Sequence, residues 1–180
     1  LVGNKANIQT AISWLEDFQN GVENTPRALF ISGKPGIGKT SLAKLLLESF
    51  NYHIVEFNSS DIRNQKLVRE KLENIMGKVN ISSMMGGNKF SGIIMDEVDG
   101  MSTGDKGGIS ELISFINPNK GKKKKDKKSL KYQNPIICIC NSEKEKKIQE
   151  LKKECMCLKF MSPKLTELYT FAEQIMEKEK

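Results

Sequence analysis

Leu29-Phe-Ile-Ser-Gly-Lys-Pro-Gly-Ile-Gly-Lys-Thr-Ser41 runs from a short apolar stretch straight into a glycine-rich turn. Gly33, Gly36, Gly38, Lys39 and Thr40 fill a complete G-x-x-x-x-G-K-[ST] pattern. Glycines at these places let successive backbone N–H groups point into one concavity suited to phosphate oxygens. Lys39 adds a point charge for β- and γ-phosphates, and Thr40 offers a hydroxyl to Mg²⁺. The pattern predicts a strand at 27–31, a cradle for a nucleoside triphosphate, and a helix at 39–50. The bland alternative is a Gly/Pro-rich turn that binds nothing; an apolar run before it and a helical run after it argue for the cradle.

The rest of the chain supplies what such a cradle needs. An apolar run at 91–95 delivers Asp96 and Glu97 at its end, where open parallel sheets bind ligands. The first acid of such a pair holds hydrated Mg²⁺, and the second orients and deprotonates an attacking water. Taken alone, the pair could equally cap a helix. Another apolar run, 135–140, ends at Asn141, whose amide either holds the lytic water against the γ-phosphate or simply forms a turn. Further strands are expected at 53–57 and 155–160. Helices are expected at 7–18, from the cap cluster 58–61 through 72, and at 109–116, 144–151 and 163–178. Five strands separated by helices make an α/β protein with a parallel sheet.

A chain of 180 residues, 38% hydrophobic and 28% charged, suits one globular domain with a fragment of a second. No apolar run approaches the ~18 residues a membrane-spanning helix requires. The start at Leu1 rather than Met is expected of a piece of a longer chain. Much of the net charge of +7 comes from 120–131, a lysine run read first as a surface insertion, with a nuclear-import signal or a nucleic-acid patch as the sharper reading. Cys138-x-Cys140 and Cys155-x-Cys157 imitate paired zinc ligands. Both pairs lie in β-like runs where residues two apart share a face, so buried core thiols are expected instead. His53 reads as a strand-edge side chain. Ile109, Leu112, Ile113 and Ile116 form one helical stripe with Phe115 beside it, and a core face is its plain reading.

Taken together, these features resemble the AAA+ ATPase module, a P-loop NTPase with a five-stranded parallel sheet flanked by helices. Gly33 to Thr40, Glu56-Phe-Asn-Ser-Ser-Asp-Ile-Arg63, Met95-Asp-Glu-Val-Asp-Gly-Met101, Lys106-Gly-Gly-Ile-Ser-Glu-Leu112 and Ile137-Cys-Ile-Cys-Asn141 are similar to the large subunits of eukaryotic replication factor C, the sliding-clamp loaders. The similarity runs over most of the chain. It divides the chain into an ATPase domain at 1–162, with the lysine-rich insertion at 118–133, and the first helix of a truncated helical lid domain at 163–180.

The resemblance implies a set of roles. ATP would be bound by Leu1, Val2, Gly33, Pro35, Gly36, Ile37, Gly38, Lys39, Thr40 and Ser41, with Leu1 and Val2 near the adenine. Thr40 and Asp96 would hold Mg²⁺; Glu97 would be the general base, with Lys39 and Asn141 completing the catalytic set. Ile109, Leu112, Phe115 and Ile116 would dock on a ring-shaped sliding clamp, although the core-face reading stays open. Arg63, Lys66 and Lys106 would follow primer–template DNA, against the alternative of solvated charges. Four smaller ATPase subunits and a nuclear location belong to the same picture. Lys153-Glu154-Cys155 stands where small subunits carry Ser-Arg-Cys, so this chain is expected to receive an arginine finger without giving one. Other AAA+ remodellers, and a scaffold that binds nucleotide without turning it over, are the competing readings.

Overall fold

The computed structural model describes residues 2–58, 65–76, 90–101, 107–118 and 134–178. In chain order the elements are α1 (Lys5–Asn20), β1 (Ala28–Ser32), α2 (Lys39–Ser49), β2 (His53–Asn58), α3 (Gln65–Met76), β3 (Ser91–Asp96), a 3₁₀ turn (Val98–Met101), α4 (Gly108–Ile116), β4 (Ile136–Cys140), α5 (Lys146–Lys152), β5 (Cys155–Lys159) and α6 (Leu165–Lys178). The five strands form one sheet in the order β2-β3-β4-β1-β5, and every pairing is parallel.

Side chains of a strand alternate between faces, and the apolar residues of this sheet divide accordingly. Ala28, Phe30, Ile93, Met95, Ile136, Cys138 and Cys140 enter one layer with α3, α4 and α5. Leu29, Ile31, Ile94, Ile137 and Ile139 enter the other with α1 and α2. The central strands β1 and β4 are buried at every position, which is why they read as unbroken apolar runs. The edge strand β5 is not: Cys157 is exposed, whereas Cys138 and Cys140 are core as expected. The thiol pairs therefore differ because one lies on an inner strand and the other on an edge.

Most expected elements are present with shifted ends. The helix expected at 144–151 starts two residues later, and the strand expected at 53–57 runs one further, to Asn58. The helix expected to begin in 58–61 is described only from Gln65, and it continues to Met76. Two ties then fix α4. Gln65 Nε2 of α3 donates to Glu111 Oε2 at 2.9 Å, and Arg69 pairs with the other oxygen at 3.2 Å. Arg27, only 5% exposed, donates to the carbonyls of Phe115 (2.6 Å) and Asn134 (3.3 Å).

The stripe on α4 is core. Ile109, Leu112 and Ile116 are 2%, 0% and 4% exposed, and Phe115 is half-buried against the same layer. Ile109, Leu112 and Ile116, three of the four residues expected to dock on a clamp, are thus taken up by the layer beneath α3, as the core-face reading of the stripe has it, while Phe115 keeps part of its surface exposed. Helix α6 is the reverse case. Its described side chains are all exposed, including Leu165, Tyr169 and Met176. Among the described residues no helix is long and apolar enough to cross a membrane.

Candidate nucleotide site

Three strand ends and one helix start converge at the C-terminal edge of the sheet. Strand β1 ends at Ser32 and turns through Gly33, Gly36 and Gly38 into α2. Gly36 and Gly38 have φ of 75° and 89°, the left-handed region that L side chains rarely adopt. Gly33, with a φ of 154°, is fixed by space as well: a Cβ there would lie 2.6 Å from the Phe160 carbonyl oxygen and 2.7 Å from the Ile37 side chain. The loop thus packs directly on the chain that leaves β5.

Lys39, the first residue of α2, is 5% exposed, and its ammonium donates to the Gly33 carbonyl (2.9 Å), the Lys34 carbonyl (2.8 Å) and Asn141 Oδ1 (2.8 Å). Burial pushes its pKa below the ordinary lysine value, and the negative charge of Asp96 is the largest influence opposing that. Thr40 Oγ1 donates to Asp96 Oδ2 at 2.8 Å, so the hydroxyl and carboxylate meet. Glu97 follows with φ 54°, a strained value for a non-glycine residue, and the turn closes through Gly100 N–H donating to the Glu97 carbonyl at 2.7 Å.

Pro35, Gly36, Gly38, Lys39, Thr40, Ser41, Asp96, Glu97 and Asn141 line one cavity of about 330 Å³. Residues as far apart in the sequence as Pro35 and Asn141 are therefore gathered at one place. Ile37 turns away and packs on the α1–α2 layer. Val2 lies outside that lining, in a segment held against residues 161–163: Asn4 makes two hydrogen bonds with the Met161 backbone, and Gly3 packs against Pro163. Leu1, Arg63 and Lys106 are outside the described residues, and Lys66 is exposed at the start of α3.

The donor set suits a magnesium-complexed triphosphate. A backbone concavity, one ammonium, one hydroxyl and two carboxylates provide ligands for both the anion and the hard cation, which prefers oxygen donors. Two residues at this edge escaped the sequence reading. Asn58 ends β2 level with Asp96 in the parallel register. Asp99 sits in the 3₁₀ turn and accepts the backbone N–H groups of Asn141 (3.4 Å) and Ser142 (3.2 Å). A signal for Asp99 was its place two residues beyond Glu97; for Asn58, the strand had to be extended by one residue.

Comparison with known proteins agrees with this geometry. Residues 29–161 match the family model described as ATPase family associated with various cellular activities (AAA). The chain is 32% identical over 182 residues to Replication factor C subunit 1 of Schizosaccharomyces pombe, covering 91% of this chain and 18% of that protein. It is 35% identical over 160 residues to the Drosophila melanogaster protein of the same name (86% and 15%), and 36% identical over 149 residues to the Homo sapiens one (79% and 12%). The chain thus spans less than a fifth of the length of these relatives. Among solved structures, the FIGL-1 AAA domain in complex with ADP superposes with a TM-score of 0.66 at 12% identity, covering 98% of this chain and 59% of that one. Caenorhabditis elegans PCH-2 superposes at 0.62 with 18% identity, covering 98% and 48%; both show the fold.

Proposed function

This chain belongs to the ATPase family associated with various cellular activities, and from that premise we propose that it is the ATP-hydrolysing domain of a clamp-loader large subunit. The observation that carries the reading is the convergence of Lys39, Thr40, Asp96, Glu97 and Asn141 on one cavity. In this reading the loop amides and Lys39 bind the phosphates, and Thr40 and Asp96 hold Mg²⁺. The metal would neutralise charge developing on the phosphates. Glu97 takes a proton from the attacking water. Asn141, fixed to Lys39 at 2.8 Å, positions that water's side of the site.

The test is Glu97→Gln in the full-length protein with its partner subunits. ATP binding should persist while turnover falls at least about a hundredfold, the scale of a lost general base. Unchanged turnover would remove the catalytic assignment. Turnover lost with clamp loading intact would favour a scaffold that merely holds nucleotide.

The assembly-level reading follows from the relatives named above. The protein would work in the nucleus with four smaller ATPase subunits, opening a ring-shaped sliding clamp and placing it on primer–template DNA. Arg63, Lys66 and Lys106 are the proposed DNA contacts, read out as a weaker salt-dependent affinity on charge removal. An arginine finger would come from a neighbour. Glu154 occupies the corresponding place here and accepts a hydrogen bond from Asn117 Nδ2 at 2.8 Å, within its own chain. Residues 163–180 would begin the lid domain, whose remaining helices would cover the apolar side chains that α6 exposes. Without those partners hydrolysis should be feeble.

A further inference from the structure

The pairing of β3 with β4 stops one residue short of the end of β3, at the place where the reaction would occur. Strands β2 and β3 stay in register to Asn58 and Asp96, and β1 and β4 stay in register to Ser32 and Cys140. Between them, β3 and β4 pair only as far as Met95 and Cys138. Beyond that level no ladder joins the strand that carries Asp96 to the strand that presents Asn141.

Asp99 bridges the gap. Its Oδ1 accepts the Asn141 N–H and its Oδ2 accepts the Ser142 N–H, so one carboxylate grips two consecutive amides where β4 ends. The 3₁₀ turn that carries it is anchored by Val98 and Met101, 0% and 1% exposed. At 3.4 and 3.2 Å neither bond is short, and the tie comes from one charged acceptor serving two consecutive donors. Asn141 is thereby fixed twice, its backbone by Asp99 and its side-chain oxygen by Lys39.

Building on the ATPase reading, we propose that Asp99 is a positioning residue for hydrolysis: it sets Asn141 relative to Asp96 and Glu97 across the unpaired end of β3 and β4. Misplacement of a reacting group by about 1 Å costs on the order of a hundredfold in rate. Asp99 therefore influences turnover through Asn141, without touching nucleotide.

The test is a double-mutant cycle in saturating-ATP turnover, using Asp99→Ala, Asn141→Ala and the combination in the full-length protein with its partner subunits. Asp99→Ala should lower turnover by about 10- to 100-fold, with ATP affinity retained to within about threefold, a span under 1 kcal/mol. The combination should be no more than about twofold slower than Asn141→Ala alone, because the two act as one unit. If the two losses multiply, Asp99 acts elsewhere and the proposal fails. An undiminished rate in Asp99→Ala overturns it as well. Should that variant not fold, Asp99→Asn, equal in size but uncharged, takes its place in the same cycle and is judged by the same criterion. Failure of the ATPase reading would look different: the unaltered protein would itself turn over no ATP.

Discussion

Thr40 Oγ1 donates a 2.8 Å hydrogen bond to Asp96 Oδ2, joining the first turn of α2 to the last residue of β3. A hydroxyl and a carboxylate in contact form a natural pair of oxygen ligands for Mg²⁺. Asp96→Asn keeps an acceptor for Thr40 but removes the charge. The Mg²⁺ concentration for half-maximal ATP turnover should rise at least about tenfold, with little change in the unfolding midpoint. Magnesium titration beside a thermal melt checks this; a lowered midpoint with an unmoved titration would make the contact purely structural.

Burial of the α4 stripe sets a stability expectation. Leu112 is 0% exposed beneath α3, so Leu112→Ala should cost about 2–5 kcal/mol in chemical denaturation, the range for deleting a buried leucine side chain. A side chain reserved for a partner would cost far less.

Arg27 holds the carbonyls of Phe115 and Asn134 together, and these residues flank the lysine-rich stretch 118–133. Groups on either side of it are thus held together by a buried side chain of the body. Replacing 119–133 by a short Gly/Ser linker should change stability by less than about 1 kcal/mol, since loop length enters only logarithmically. Arg27→Ala should cost about 1–3 kcal/mol by leaving two partly buried carbonyls without their donor. Denaturant titrations of both variants test the contrast.

The thiols should react in a set order. Burial, reinforced by the negative charge of Asp99, pushes the Cys140 pKa from the ordinary 9.0 up to about 12. Cys155 is also raised, through its contact with Cys138 and through burial. Cys157, raised as well, is the exposed one. Alkylation at pH 8 followed by peptide mass mapping should therefore mark Cys157 first. The sign of the pH effect follows. Between pH 9 and about 12 the unfolded chain loses the Cys140 proton while the folded chain keeps it. Stability should decline through that window, and Cys140→Ala should flatten the decline.

Local chemistry made the phosphate loop legible: glycines, lysine and threonine at set spacing admit few other uses, and Asp96 and Glu97 stand at a strand end. The buried strands β1 and β4 announce themselves as apolar runs for the same reason. Pairing order was not legible, because which parallel neighbour a strand takes depends on helices packing across the sheet. The α4 stripe shows the limit most clearly: Leu112 and Phe115 have the same spacing whether they meet a partner or α3. Asp99 was missed because the partners that tie it to the end of β4 include backbone amides more than forty residues away, which no side-chain pattern records.

Gly33 abuts the Phe160 carbonyl, Phe160 N–H donates to the Ser32 carbonyl at 2.7 Å, and Met161 is clasped on both backbone groups by Asn4. The segment that leads from β5 towards α6 therefore rests on the first glycine of the phosphate loop. With 14 residues, α6 is a lever arm about 21 Å long. A rotation of roughly 10° at that fulcrum would sweep its far end through nearly 4 Å, given the rise of about 1.5 Å per residue. Any shift of the loop passed on through this contact would be felt most at the far end of α6.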